Sequence, residues 1–210
     1  MWRTKGSDIL AAVFSSDQKQ AVNGRMQINE SVTQRLRLHE RTISIRRLDL
    51  LHQLIGGNKY YKLKYNIEAV MRNDHKTLLT FGGAYSNHLH ATAAAGKLYG
   101  FKTIGIVRGE ELGDSVLSPT LQFARECGMR LEFVLRSAYA EKETEEFKGW
   151  LHEEFGAFHL VPEGGSNFLG INGCMEILSE EDKTDYDVVC CACGTGATLA
   201  GIVLSLGEGQ

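Results

Sequence analysis

From about residue 42 onward, short apolar runs and helical periodicities take turns along the chain. Thr42-Ile43-Ser44-Ile45-Arg46 alternates with period two and predicts a strand. Tyr60, Leu63, Ile67, Val70 and Met71 recur at steps of three and four, predicting a helix from 58 to about 72 with Asn58 as its N-cap. Thr77-Leu78-Leu79-Thr80-Phe81 is a short apolar strand, and Ala91 to Leu98 is alanine-rich and helical. The same pattern predicts strands at 103–107, 131–135, 158–161 and 187–193. Helices are predicted at about 115–127, 138–152, 168–179 and 196–206. Strands that are apolar on both faces and alternate with helices define an α/β fold with mostly parallel strands and right-handed crossovers.

Composition narrows the function classes. The formal net charge is −3, which provides no basic field for nucleic acid or an anionic membrane. No apolar run approaches the roughly 20 residues that span a bilayer. Ile9-Leu10-Ala11-Ala12-Val13-Phe14 is too short for a signal-peptide core, so a cytoplasmic location is expected. Residues 1–25 are polar and weakly patterned, and a disordered extension is expected there. There are 23 glycines and only 2 prolines, which suits ordered elements joined by tight turns. Five cysteines, Cys127, Cys174, Cys190, Cys191 and Cys193, do not suggest a disulfide framework. The late cluster lies in an apolar run and reads as small buried hydrophobes, with no metal expected. Glu141 to Glu146 reads as one solvated helix face.

Chemistry points to the glycine turns. Gly56-Gly57, Gly82-Gly83 and Gly164-Gly165 each precede polar residues, and a fourth site is Gly194-Thr195-Gly196-Ala197-Thr198. In open parallel sheets, ligands bind beyond the carboxyl ends of the strands, where such turns fall. The segment 194–198 lies between a predicted strand and a helix N-terminus, a ready anion site. No Lys or Arg occurs between Val188 and Leu206, so a phosphate there is expected to rest on backbone donors and threonine hydroxyls. A dinucleotide fingerprint would need Gly or Ala where Leu199 stands, and no Walker loop is present.

Lys59 falls in the first turn of the predicted 58–72 helix. The helix dipole and partial burial both favour its neutral form there, and a positioned neutral amine is what Schiff-base chemistry requires. Lys62 and Lys64 read as surface residues. A reactive lysine, the Ser86-Asn87 loop and an anion cradle are together the parts that a pyridoxal 5'-phosphate site needs.

Five segments in order carry a family resemblance. They are Arg47-Leu48-Asp49-Leu50 with Gly56-Gly57-Asn58-Lys59-Tyr60, Gly83-Ala84-Tyr85-Ser86-Asn87-His88, Pro162-Glu163-Gly164-Gly165-Ser166-Asn167, and Gly194-Thr195-Gly196-Ala197-Thr198. Over about 40–201 the chain resembles the 1-aminocyclopropane-1-carboxylate deaminase / D-cysteine desulfhydrase family of fold-type-II pyridoxal phosphate enzymes. The resemblance implies two three-layer αβα domains with the cofactor in the cleft between them. Residues 31–60 plus 158–210 would form the larger domain and 62–157 the smaller one.

By the same resemblance, Lys59 forms the internal aldimine and shuttles a proton, and Asn87 bonds the cofactor ring oxygen. Ser86 acts with Lys59 in catalysis, and Gly194, Thr195, Gly196, Ala197 and Thr198 hold the phosphate. Asn58, Ser86, Asn87 and His88 face the substrate, with His88 beside its carboxylate. The implied reaction releases ammonia and a 2-keto acid from a small amino acid, and a homodimer is plausible by analogy. The family usually runs well past 210 residues, so the resemblance implies a larger domain that is incomplete at its C-terminal side and lacks the pyridine-nitrogen partner. Two alternatives stand beside it: a non-catalytic relative that binds cofactor or only folds, and a dinucleotide-binding oxidoreductase.

Overall fold

The computed structural model describes residue 29 and residues 32–206. The extension expected over 1–25 lies outside the described residues. The described chain opens with an antiparallel hairpin of β1 (Val32–Leu38) and β2 (Arg41–Arg47), in which Leu36 pairs with Ile43 and Gln34 with Ile45. The sequence reading contained β2 but missed β1. An ion pair from Arg46 to Asp182 ties the hairpin to the body.

Helix α1 (Asn58–Arg72) leads into β3 (Thr77–Gly82), α2 (Asn87–Tyr99) and β4 (Lys102–Arg108). Helix α3 (Pro119–Glu126), β5 (Arg130–Val134), α4 (Arg136–Ala140), α5 (Glu145–Phe155) and β6 (His159–Val161) follow. The four strands β3–β6 form one parallel sheet in the order β5-β4-β3-β6. β3 is buried along its whole length, as a central parallel strand must be.

The pleat divides the core. Leu78 packs with Leu63, Ile67, Val70, Ala91, Ala94 and Val161 on one face. Leu79, Phe81, Ile104 and Ile106 pack with Tyr139, Phe147 and Leu151 on the other. Helices therefore cover both faces, giving three αβα layers. No helix among the described residues is long and apolar enough to cross a membrane.

The last third packs on α1. Helices α6 (Phe168–Cys174), α7 (Glu180–Asp185) and α8 (Ala197–Ser205) follow, and Cys174 of α6 and Ile202 of α8 join Leu51, Tyr60, Tyr61 and Ile177 in one cluster. α6 lies very close to α1: a Cβ on Gly173 would sit 1.9 Å from the Tyr61 carbonyl oxygen. Alanine has the better helix propensity by about 1 kcal/mol. Overpacking against backbone costs about 1–3 kcal/mol or more and outweighs that gain. Gly173→Ala is therefore expected to lower the urea midpoint clearly. An unchanged or higher midpoint would contradict this packing.

Several expectations are corrected. Gly57, not Asn58, is the N-cap of α1. Alanine-rich α2 starts four residues early, at Asn87, because Ser86 caps it by accepting the Leu89 N–H. The helix expected at 138–152 is two helices, because Thr144 caps the second by taking the Phe147 N–H at 3.2 Å. Glu141 to Thr144 is accordingly a turn rather than a helix face. The helix expected at 168–179 likewise ends at Cys174, and Ser179 opens α7 with a capping box.

The strand expected at 187–193 does not form, because no neighbouring strand among the described residues offers it a ladder. Cys190 and Cys193, expected to be buried, are consequently exposed, and Cys191 is half-buried. The two exposed thiols have C-x-x-C spacing, which their reading as buried hydrophobes passed over. Among the described residues no group of three or more His, Cys, Asp or Glu could hold a metal ion.

Candidate active site

The turn before α1 is built by local donors and acceptors. His52 Nδ1 accepts the N–H groups of Leu54 at 3.0 Å and Ile55 at 3.1 Å, and Gly57 N–H reaches the Leu48 carbonyl at 2.8 Å. Held this way, Gly57 takes φ 68° and starts the helix, so Asn58 and Lys59 fall in its first turn. Gly57 has no side chain to cap the helix. The Asn58 amide instead donates to Thr198 Oγ1 at 2.9 Å, joining α1 to the start of α8.

Lys59 Nζ lies 3.4 Å from the Gly164 carbonyl, and Lys62 Nζ lies 3.1 Å from the same oxygen. Lys62 also donates to Thr195 Oγ1 at 3.2 Å, and Ser166 Oγ meets that hydroxyl at 2.6 Å. Burial first, then repulsion from Lys62, pushes the Lys59 ammonium down to about 8. Burial also lowers Lys62. The sequence reading placed Lys62 on the surface, but it is only 2% exposed. The absence of a countercharge at the 194–198 loop is corrected with it, because α1 supplies the cation from the other side. Lys62 could have been suspected, since i and i+3 share a helix face with Lys59.

Below its shifted value Lys59 is protonated, and above it the amine is free. Covalent capture of an aldehyde needs the free amine. Its rate at Lys59 should therefore rise about tenfold per pH unit up to about pH 8 and then level off. A rate that keeps climbing to pH 10 in the pH series would identify an ordinary surface lysine instead.

Two cavities meet at Asn58, Lys59 and Thr195. The larger, about 520 Å³, is also lined by Ser86, Asn87 and His88. The smaller, about 150 Å³, is also lined by Lys62, Gly194, Gly196 and Thr198. Gly196 takes φ 85°, which lets the loop curl ahead of α8, and a Cβ on Gly194 or Gly196 would meet nothing within 4 Å. The residues expected to form the site are thus brought together, with one exception. Ala197 lines neither cavity and is buried as the first residue of α8.

At α2, Ser86 Oγ accepts the Leu89 N–H at 3.2 Å. The first backbone bond of that helix runs from His90 N–H to the Ser86 carbonyl at 3.1 Å, so the Asn87 and His88 N–H groups precede the helical ladder. His88 is 2% exposed, and burial, then Lys59 and Lys62, pushes its imidazole down to about 3.

The structure thus sets a half-buried lysine, with its ammonium disfavoured by burial, beside a glycine–threonine loop in an α/β fold. No family model matches the chain. Over 167 residues it is 32% identical to a Thermotoga maritima protein provisionally named a 1-aminocyclopropane-1-carboxylate deaminase, covering 76% of this chain and 52% of that protein. Over 175 residues it is 31% identical to the bifunctional D-cysteine desulfhydrase/1-aminocyclopropane-1-carboxylate deaminase of Arabidopsis thaliana, covering 76% and 44%. A solved homologue of the deaminase superposes with a TM-score of 0.69 at 27% identity, over 92% of this chain and 61% of that one. A pyridoxal 5'-phosphate-dependent aspartate racemase shares the fold at a TM-score of 0.64 and 15% identity, over 93% and 58%.

The fold is therefore fold type II, and the chain is a relative of the 1-aminocyclopropane-1-carboxylate deaminase / D-cysteine desulfhydrase family. It spans about half the length of the curated relatives it matches.

Proposed function

We propose that the chain binds pyridoxal 5'-phosphate at Lys59 and acts as a deaminase or lyase on a small amino acid. The substrate would be of the 1-aminocyclopropane-1-carboxylate or D-cysteine type, consumed with one water to give ammonia and a 2-keto acid, with the D-cysteine sulfur leaving as hydrogen sulfide. One observation carries the reading: a lysine pushed down to about 8 stands between the Ser86-Asn87 turn and a loop backed by a second, buried lysine. The residues fit the cofactor. The smaller cavity offers Lys62, Thr195, Thr198 and the start of α8 to a phosphate, and the larger one leaves room for a ring and a substrate.

The bound cofactor supplies an electron sink for the pair released when a bond to the substrate α-carbon breaks. The protein's own groups do the rest. Lys59 provides the free amine that holds the cofactor and then accepts and returns a proton at Nζ. Lys62 and the threonine hydroxyls neutralise and orient the phosphate. The Asn87 amide would bond the cofactor's ring oxygen, and Asn58 braces α1 against the phosphate loop through Thr198. Ser86 Oγ is an acceptor for its own helix, so its proton is available to the substrate. The Asn87 and His88 backbone N–H groups suit a substrate carboxylate. The larger cavity is lined from 53–59, from 86–91 and by Glu163, Gly164 and Thr195, segments drawn from both of the proposed domains.

The test is to supply the purified chain with pyridoxal phosphate and then with 1-aminocyclopropane-1-carboxylate or D-cysteine. Equal amounts of ammonia and keto acid, dependent on the cofactor, are expected. Cofactor capture without turnover would assign the chain a cofactor-holding role only. Failure of a folded chain to capture the cofactor would overturn the reading.

A further inference from the structure

The donors around His88 settle which of its nitrogens carries the proton. Thr80 lies on β3, buried to 0% exposure, and its hydroxyl donates to the Val161 carbonyl of β6 at 2.8 Å. A carbonyl oxygen can only accept, so this bond uses the one proton Thr80 has. His88 Nε2 lies 2.9 Å from the same Thr80 oxygen. With the hydroxyl proton spent, that contact is a hydrogen bond only if Nε2 donates. Nδ1 is then a bare lone pair, and it is buried with no partner among the described residues. A cationic imidazole would put an unbonded N–H at Nδ1, with Lys59 and Lys62 opposing the charge.

We infer that Thr80 is a positioning residue that locks His88 as its neutral Nε2–H tautomer, so that the one ring nitrogen left, Nδ1, can act only as a hydrogen-bond acceptor. The inference deepens the amino-acid reading of the pocket and rests on it for the consequence for substrate. His88 lines the same cavity as Lys59, Ser86 and Asn87. Its ring has no N–H left for a carboxylate, because the only one is held by Thr80. A substrate carboxylate must therefore be bound by other groups, and what His88 Nδ1 can take is a donor: an ammonium, hydroxyl or thiol hydrogen. This changes the role that the family resemblance implied for His88, beside the carboxylate.

The lock can be read in the full chain without cofactor, by ¹⁵N NMR of histidine-labelled protein, with His88→Asn identifying the signals. At pH 6–8 His88 should show a protonated Nε2 and a bare Nδ1, with this tautomer favoured at least about tenfold. Thr80→Ser keeps both the donor and the acceptor and should keep the single tautomer. Thr80→Val removes them and should produce a mixture. If the valine variant does not fold, Thr80→Ala removes the hydroxyl without added bulk.

A protonated Nδ1, a cationic His88 at pH 6, or an unchanged tautomer without the hydroxyl would overturn the lock. With cofactor and substrate added, Thr80→Val or Thr80→Ala is expected to raise KM about tenfold and Thr80→Ser to leave it unchanged. An unchanged KM alongside the expected NMR result would overturn the substrate role and leave the lock standing. A chain that captures no cofactor would defeat the amino-acid reading of the pocket, while the NMR result decides the lock independently.

Discussion

Lys59→Ala is expected to abolish covalent capture of pyridoxal phosphate and all cofactor-dependent ammonia release, while circular dichroism and the thermal midpoint stay near those of the unchanged chain. The expectation follows from where the side chain stands. Lys59 is half-buried in the first turn of α1, and its one hydrogen bond among the described residues, to the Gly164 carbonyl, is long at 3.4 Å. That carbonyl keeps Lys62 as a donor at 3.1 Å, so truncation leaves no buried acceptor unpaired. It also removes an ammonium that burial and Lys62 both disfavour. Loss of capture with the fold retained separates a chemical role from a structural one. Retained capture in the variant would move the reactive amine elsewhere.

Lys62→Met is expected to act on the phosphate. Replacing a charge-assisted contact to an anion should weaken pyridoxal phosphate binding about 10- to 100-fold, equivalent to about 1.5–3 kcal/mol. Pyridoxal, which has no phosphate, should bind almost as before. The cofactor-free chain should be as stable as the original or more so. Lys62 is 2% exposed and its charged form is disfavoured by burial, whereas methionine fills much of the same volume without a desolvation cost. Equal losses for pyridoxal and its phosphate would contradict the assignment, and so would a large loss of stability in the free chain.

What was legible in the sequence was local. The sheet strands at 77–81, 103–107, 131–135 and 158–161 were readable because each is a compact apolar run beside a helical periodicity. Three were found within a residue or two at β3, β4 and β5, and the last at His159–Val161. Lys59 was readable because a glycine pair and the helix start are adjacent to it in the chain. Features that depend on what packs from afar were not. Lys62 is buried because the Gly164 turn and Thr195 close over it from more than 100 residues away, and its neighbours in sequence resemble a solvated face. Residues 187–193 have a strand's composition but no ladder partner among the described residues, and composition alone does not make a strand. The Thr80–His88 contact joins a strand to the following helix eight residues on, and its meaning appears only once Val161 is known to take the threonine proton.

The most direct measurement is borohydride reduction of the chain after incubation with pyridoxal phosphate at pH 8, followed by peptide mapping. A single reduced cofactor adduct on Lys59, blocked by excess inorganic phosphate, is the predicted result. An adduct spread over Lys64 and other exposed lysines, or one on Lys62 with Lys59 unmodified, would contradict the site.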